Sequence, residues 1–271
     1  MRLFLITLIT FISFNPFIAF AQNIPFHSDP NARVEAIEAS SLPAIRFLTG
    51  ADFAPFNFQN KEGKLVGFHL DLIKEICNYL DIACTVQEWP WDQIENALSD
   101  NQGDAMLAGL AITNESAKKF DFSDIYMMFP ARFVVLKENI ENFDANMLDG
   151  KKISTRKNSN HEKFLQKYLP NAKIVEAENE IEALKAIQVG LADVYFGDAM
   201  RASFWLNENP LCCSFAGKAY FNAQYFGEGL AIALPISRPA VRDGLNYALA
   251  QLKKNGKLDE LYLRWFPVSF Y

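Results

Sequence analysis

Two kinds of segment alternate along this chain. A short apolar run at residues 105–110 has the length and composition of a buried parallel strand, and residues 45–49 are predicted to be the first strand. Over residues 68–80, apolar side chains instead recur at helical spacing. Strands followed by amphipathic helices indicate an α/β protein.

The same reading predicts elements along most of the chain. We expect a strand at residues 84–88, and a tryptophan-rich loop leading into a helix at residues 93–98. Later strands are predicted near residues 132–136, 152–155, 173–176, 193–196 and 230–234, and later helices near 161–168, 181–189, 240–254 and 257–266.

The stretch from Met106 to Tyr126 is the most informative. Its apolar run leads to Thr113, a natural helix N-cap, with Glu115 and Ser116 in the first turn. A strand-to-helix junction of this kind can bind an anion. An ordinary connection in an α/β protein explains the pattern equally well.

These residues also carry a family resemblance. Residues 109–113, followed by Phe-Asp-Phe-Ser-Asp-Ile-Tyr at 120–126, resemble the S-x-T-x-x-R … F-S-x-x-Y core of the polar amino-acid-binding proteins of ABC importers. Further matches lie at residues 52–56, 63–72 and 197–198, so the resemblance covers roughly residues 45–266. It implies a type 2 periplasmic-binding-protein fold, with two α/β lobes and a ligand cleft between them.

The resemblance also implies how the chain is divided. Residues 44–132 would form the first part of lobe 1, residues 133–226 lobe 2, and residues 227–271 the returning part of lobe 1. The chain would therefore cross between the lobes twice. Two crossings make a hinge whose closure buries the ligand.

Several ligand contacts follow from the resemblance. Phe53 and Trp91 match aromatic positions that face each other across the ligand, a geometry suited to an apolar or a cationic side chain. Asp198 matches the acid that receives an α-ammonium group, although it could also be a helix N-cap. Thr113, with the backbone at Gly109 and Ala111, would bind a carboxylate.

The sequence departs from the family in two places. Ser116 stands where the family usually has the arginine that binds the ligand's carboxylate. Arg156, Ser159 and Asn160 occupy a loop where the family has a glycine and two hydroxyl donors. Arg156 could supply the missing bidentate contact from the opposite lobe, or the loop could simply be basic and solvated.

The first residues have the features of an export signal. Met1 and Arg2 precede an apolar run that ends in Ala19-Phe20-Ala21, which predicts a signal peptide at residues 1–21, cleaved after Ala21. A membrane anchor is the alternative, because the run approaches the length of a span. Residues 22–43 are predicted to be an extended leader, and the mature protein is predicted to be periplasmic.

The cysteines agree with an oxidising compartment. Cys77 and Cys84, at the end of a helix and the start of a strand, could form a bridge, and some members of the resembled family have one there. Cys212 and Cys213 are adjacent, so two thiols, a strained disulfide or pairing elsewhere are all open. No metal-ligand pattern accompanies them, and no cofactor is expected.

Composition and motifs narrow the function. The chain has 271 residues and a formal net charge of −6, which argues against a nucleic-acid surface. We expect a monomeric receptor that binds an amino acid or related amine and delivers it to the membrane permease of an ABC importer. We do not expect an enzyme, because no catalytic triad or carboxylate pair is evident. An accessory or sensor module with a drifted pocket is the alternative, and a dehydratase of this fold is less favoured.

Overall fold

The computed structural model describes residues 42–271, so the predicted signal peptide and almost all of the leader lie outside the described residues. Within this range no helix is long and apolar enough to cross a membrane. The strands are β1 Ile45–Thr49, β2 Asp52–Phe53, β3 Asn57–Gln59, β4 Leu65–Val66, β5 Cys84–Glu88, β6 Ala105–Met106, β7 Phe120–Phe122, β8 Ala131–Leu136, β9 Lys152–Arg156, β10 Lys173–Ala177, β11 Val194–Asp198, β12 Cys213–Tyr220 and β13 Ala233–Pro235. The helices are α1 Phe68–Leu80, α2 Trp91–Ser99, α3 Ser116–Lys119, α4 Asn160–Tyr168, α5 Glu180–Gln188, α6 Ala199–Glu208, α7 Ala223–Phe226, α8 Pro239–Lys254 and α9 Lys257–Trp265, with 3-10 turns at Lys137–Asn139 and Ala145–Met147.

Two five-stranded sheets form the two lobes. The first has the order β5-β1-β6-β13-β7 and the second the order β10-β9-β11-β8-β12, while β2, β3 and β4 make a small antiparallel sheet. In the first sheet β1 pairs in parallel with β5 and β6, and in the second β9 pairs in parallel with β10 and β11. The predicted two-lobed α/β fold is confirmed.

The chain passes between the two sheets twice. It leaves the first sheet after Phe122 and enters the second at Ala131, then returns from β12 to β13. The two crossing segments are bonded to each other, because Leu230 N–H donates to Met127 O at 2.7 Å and Tyr126 N–H donates to Leu230 O at 2.9 Å. The crossings therefore form a paired strip of backbone. The lobe boundaries given above stay predictions.

Apolar side chains cover both faces of each sheet. In lobe 1, helices α1, α8 and α9 cover one face with buried residues that include Leu72, Leu245 and Leu261. A separate cluster around Ile94 and Leu98 of α2 covers the other face. Strand β1 is buried except at Arg46, with Phe47 in the first cluster and Leu48 in the second, so both of its faces are covered.

Some predicted elements have different limits. The strand predicted at residues 105–110 ends at Met106, because Gly109 has φ +84° and turns the chain. Leu107 N–H still donates to Leu48 O at 2.9 Å, and Leu107 O accepts a hydrogen bond from the Thr49 hydroxyl at 2.8 Å. Helix α2 begins at Trp91, two residues before the predicted start, so Trp91 is the first helical residue and not part of the loop. The sequence analysis missed β12 and α6.

Both cysteine pairs form disulfides. Cys77 and Cys84 join the end of α1 to the start of β5, as predicted. Cys212 and Cys213, whose state the sequence left open, are bonded to each other. The Cys77–Cys84 bridge closes a loop of the chain, whereas the Cys212–Cys213 bridge joins adjacent residues and closes almost no loop.

This difference predicts unequal effects on stability. In the chain-entropy description, a bridge across a sequence separation of 7 stabilises the fold by about 2.5 kcal/mol. Cys77→Ala/Cys84→Ala should lower the free energy of unfolding in urea by about that amount, and Cys212→Ala/Cys213→Ala should have a smaller effect. Equal losses in the two double variants would contradict this account.

Candidate functional site

The candidate site begins at one edge of the first sheet. Because β1, β5 and β6 run parallel, the loops that follow them meet at the same edge. These loops lead to Phe53, Trp91 and Gly109 respectively. In open α/β sheets, ligands bind at the carboxyl ends of the strands.

Phe53 and Trp91, the two aromatic residues predicted to contact a ligand, line the same pocket. The pocket has a volume of about 260 Å³ and is lined by Asp52, Phe53, Trp91, Ala108 and Gly109. Trp91 is 49% exposed, so its ring is available to a ligand. A Cβ atom at Gly109 would lie 2.6 Å from Phe53 Cε1, which explains why this close-packed position with positive φ is glycine.

Phe53 rests on a buried aromatic base. Its ring stacks on Phe56 with centroids 4.7 Å apart and an interplanar angle of 22°. Phe56 is fully buried and belongs to the core of the first lobe. The position of the Phe53 ring is therefore fixed by the packing beneath it.

Behind this base lies a buried histidine. His69, the second residue of α1, is fully buried. Its Nδ1 lies 2.7 Å from Asn57 Oδ1, and its Nε2 lies 2.8 Å from the Tyr126 hydroxyl. Burial lowers the pKa of His69 to about 3, so the ring is neutral, donating from Nδ1 and accepting at Nε2. The network links the binding loop to the first crossing.

The Thr113 turn closes on itself. Thr113 Oγ1 accepts a hydrogen bond from Ser116 N–H at 3.1 Å, the contact predicted for an N-cap, although α3 is a single turn that begins only at Ser116. Ser116 is buried; its hydroxyl donates to Ala111 O at 2.8 Å and accepts from Thr113 N–H at 2.9 Å. These contacts use the Thr113 amide, and none of the three residues carries a charge.

The predicted site residues of the second lobe lie at or just after the carboxyl ends of its strands. Arg156 ends β9 and Asp198 ends the neighbouring parallel strand β11. Ser159 caps α4, because its oxygen accepts from Glu162 N–H at 3.1 Å and its hydroxyl donates to Arg156 O at 2.6 Å. Asn160 is the exposed first residue of that helix. Arg156 is exposed, and its guanidinium makes no hydrogen bond with the described residues.

Two arginines lie near His161 at the carboxyl edge of the second sheet. Burial, with the charges of Arg156 and Arg201, lowers the pKa of His161 to about 4. Two arginines therefore lie close enough to the same imidazole to disfavour its protonation. Arg201 was not among the predicted site residues, because its position follows from the direction of α6, an element that the sequence analysis missed.

Asp198 is an N-cap and stands in a polar cluster. Its Oδ1 accepts from Arg201 N–H at 3.0 Å, and its Oδ2 lies 3.9 Å from Arg201 Nε. Burial raises the pKa of the Asp198 carboxyl, and the hydrogen bond and charge of Arg201 oppose that rise. The cap expected as an alternative is thus present, and the Met200 backbone also bonds the carboxylate. The ligand role of Asp198 stays a prediction.

Sequence reasoning missed one residue beside it. Glu180 is buried, and its carboxylate accepts hydrogen bonds from the Tyr195 hydroxyl and from Asp198 N–H. Burial, followed by the charge of Asp198, raises the pKa of Glu180. A Cβ at Gly197 would lie 2.3 Å from Glu180 Oε1, so this contact requires glycine there. An acid at a helix start looks like ordinary dipole compensation in sequence, and no pattern signals its contact with Asp198.

The predicted residues therefore form two groups. Phe53, Trp91 and Gly109 meet in a first-lobe pocket, with the turn of Ala111, Thr113 and Ser116 following Gly109 in the chain. Arg156, Ser159, Asn160 and Asp198 lie at the carboxyl edge of the second sheet. The residues lining the Phe53 pocket come from the first lobe, and none of the second-lobe group is among them.

Comparisons with known proteins agree with this architecture. The model of a family described as bacterial extracellular solute-binding proteins, family 3, matches residues 45–268. The putative ABC transporter arginine-binding protein 2 of Escherichia coli (strain K12) is 30% identical over 231 residues, covering 85% of this chain and 94% of that protein. ABC transporter arginine-binding protein 1 of the same organism is 31% identical over 229 residues, covering 84% and 93%.

A solved structure is similar to this chain over most of its length. An ancestral cationic amino acid solute-binding protein is 31% identical, with a TM-score of 0.62, and the match covers 82% of this chain and 95% of that one. The similarity extends over both lobes and is not confined to one motif.

The buried histidine network predicts a pH dependence of stability. The folded-state pKa of His69, about 3, lies below that of an unfolded histidine. The neutral His69 ring therefore contributes fully to the free energy of unfolding above about pH 6.5. As the pH falls below that value, this contribution decreases by up to about 1.4 kcal/mol per pH unit. His69→Gln should flatten the fall in unfolding free energy between about pH 7 and about pH 5, measured by urea unfolding.

Tyr126→Phe is the matched control. It removes one hydrogen bond of the network but keeps the buried imidazole. We expect it to lower stability at neutral pH while retaining the dependence on pH. If His69→Gln shows the same slope as the unsubstituted protein, this assignment is wrong.

Proposed function

The chain belongs to the bacterial extracellular solute-binding proteins of family 3, and we propose that it is a periplasmic receptor of an ABC importer that closes around a free amino acid. The observation that carries the proposal is the pocket that Phe53 and Trp91 share at the carboxyl edge of the first sheet. The receptor delivers its ligand to the membrane permease of the importer and binds without catalysing a reaction.

The ligand contacts are shared between the lobes. Phe53 and Trp91 hold the side chain, and Asp198 binds the α-ammonium group through Oδ2. Closure about the two crossings brings lobe 2, residues 133–226, onto lobe 1, residues 44–132 and 227–271. Each lobe contributes only part of the site, so a bound amino acid stabilises the closed form.

A basic amino acid is the first ligand to test. Relatives named for arginine span nearly the whole chain, and the solved ancestral protein is named for cationic amino acids. Aromatic faces also attract cations, which suits Phe53 and Trp91 to such a side chain. We therefore take arginine as the probe.

Arginine binding should raise the thermal stability of the mature protein after bound ligand has been removed by unfolding and refolding. At about 100 times the dissociation constant, a ligand adds roughly 2.7 kcal/mol to the free energy of unfolding. Trp91→Ala and Phe53→Ala should each weaken binding in calorimetric titration.

Tyr168→Ala provides the control. Tyr168 is 48% exposed, nearly the same as Trp91 at 49%, but it lies at the far end of α4 from the cleft-facing edge. It should bind arginine normally. Failure of arginine and other amino acids to bind, or equal loss in all three variants, would refute the proposed site.

The carboxylate contact is proposed for Arg156. In the first lobe, Ser116 is buried and bonded within its own turn, so Thr113 and nearby amides provide only uncharged donors. Arg156 is exposed and without a hydrogen-bond partner in the described chain, at the strand end next to Asp198. A guanidinium can bind a carboxylate through two parallel hydrogen bonds.

Arg156→Ala should therefore weaken arginine binding by about 2–5 kcal/mol, but should leave binding of agmatine, the decarboxylated analogue, nearly unchanged. Lys151→Ala removes a positive charge just before β9, at the opposite end of that strand, and serves as the control. Calorimetry with both ligands provides the measurement. If Arg156→Ala weakens both ligands equally, or neither, the residue does not bind the carboxylate.

A further inference from the structure

A buried acid is bonded to the backbone of Asp198. Glu180 is the first residue of α5 and is 7% exposed, whereas Glu182, in the same turn of that helix, lies at the surface. The Glu180 carboxylate accepts hydrogen bonds from the Tyr195 hydroxyl and from Asp198 N–H. Neither donor is charged, and among residues 42–271 Glu180 forms no ion pair. The second lobe therefore buries an acid that no cation neutralises directly.

The two donors indicate the charge state of Glu180. Burial, followed by the charge of Glu180, raises the pKa of Tyr195 well above its usual value, so the hydroxyl keeps its proton and donates. The Asp198 amide can only donate. A protonated carboxyl group would need an acceptor for its own proton, and the described residues provide none. Glu180 is therefore the ionised partner of both donors.

Negative charge at this strand end is only partly balanced. Glu180 and Asp198 are both acids, and Arg201 lies close enough to lower the pKa of each. The Arg201 side chain is 60% exposed, however, and its Nε lies 3.9 Å from Asp198 Oδ2. Two buried carboxylates thus share one solvent-screened guanidinium. In the proposed complex, the α-ammonium group of the ligand binds at this place.

Packing alone does not explain an acid at this position. A buried charge without an ion pair costs stability, and an uncharged glutamine would occupy nearly the same space. The neighbouring strand nevertheless makes room for the carboxylate, because a Cβ atom at Gly197 would lie 2.3 Å from both Glu180 Oε1 and Tyr195 Oη. A role in ligand binding accounts for a charge that the fold itself does not need.

We propose that Glu180 is a positioning residue for the α-ammonium group of the ligand and that it acts through Asp198. Its hydrogen bond holds the Asp198 backbone, and its charge adds to that of the Asp198 carboxylate, so that the ammonium group meets the field of two acids. Glu180 is buried and does not itself contact the ligand. This inference rests on the proposed function, because it assumes that Asp198 receives the ammonium group.

Arginine and 5-guanidinopentanoate test this role, because they differ only in the α-ammonium group. Calorimetric titration of the unsubstituted receptor should show tighter binding of arginine. Glu180→Gln removes the charge and keeps the shape, so arginine affinity should fall about tenfold, while affinity for the analogue stays the same or rises. Tyr195→Phe removes a donor that stabilises the Glu180 charge. It should reduce the preference for arginine by a smaller factor.

Asp198→Asn tests whether the two acids are coupled. Because Glu180 acts through Asp198, adding Glu180→Gln to Asp198→Asn should weaken arginine binding by less than about a further threefold. This is a smaller effect than Glu180→Gln has in the unsubstituted receptor. Fully additive losses would show that Glu180 acts independently of Asp198, which overturns the proposed role.

Glu182→Gln is the matched control. It removes an exposed acid two residues from Glu180, whose Oε2 accepts from Glu178 N–H at 3.3 Å. The net charge changes by the same amount, but solvent screens the lost charge, so both affinities should stay within about twofold. Unfolding midpoints of all variants, measured without ligand, separate lost binding from lost folding. If Glu180→Gln does not fold, an unchanged preference for arginine in Tyr195→Phe refutes the role.

The outcomes distinguish this inference from the proposed function. If the unsubstituted protein binds the analogue as tightly as arginine, or if Glu180→Gln binds arginine normally, the role of Glu180 is refuted while the receptor function stands. The same conclusion follows if Glu180→Gln weakens both ligands equally. If another amino acid binds in place of arginine, that amino acid and its analogue without the amino group are compared. If no amino acid binds, the proposed function itself fails.

Discussion

Backbone pairing between the two crossing segments is the contact on which the arrangement of this protein depends. Tyr126 and Leu230 lie on different passages of the chain, and their direct hydrogen bond keeps the two passages side by side. The Tyr126 hydroxyl also reaches His69 beneath the aromatic base of the pocket. The strip that joins the lobes is thus bonded to the floor of the candidate site, which gives a physical route for the hinge and the pocket to influence each other.

Parts of the fold could be predicted because their patterns are local. The strands Ile45–Thr49 and Cys84–Glu88 and the helix Phe68–Leu80 have the predicted limits. The helix repeats its apolar residues at helical spacing. Most of Ile45–Thr49 is buried, whereas Cys84–Glu88 is an exposed edge strand. Strand β12 was missed because Gly217 and Lys218 interrupt its apolar residues. Its place in the sheet comes from pairing with β8, which no local pattern reveals.

The candidate site was predictable in part for a similar reason. Phe53 and Trp91 follow parallel strands, so their meeting at one edge follows from topology. Glu180 was not predictable, because its importance lies in a contact with Asp198 N–H that depends on how α5 and β11 pack.

The distribution of charge is the remaining link between structure and proposed function. The first lobe has aromatic rings and the carboxylates of Asp52 and Glu88 near its pocket, and its Thr113 turn contains no cation, because position 116 is a serine. The second lobe carries both signs close together, at Arg156 and Asp198. In the proposed complex, the zwitterionic head group would bind the second lobe and the ligand side chain would bind the first. Neither lobe alone can satisfy both ends of such a ligand, so charge complementarity itself would favour closure.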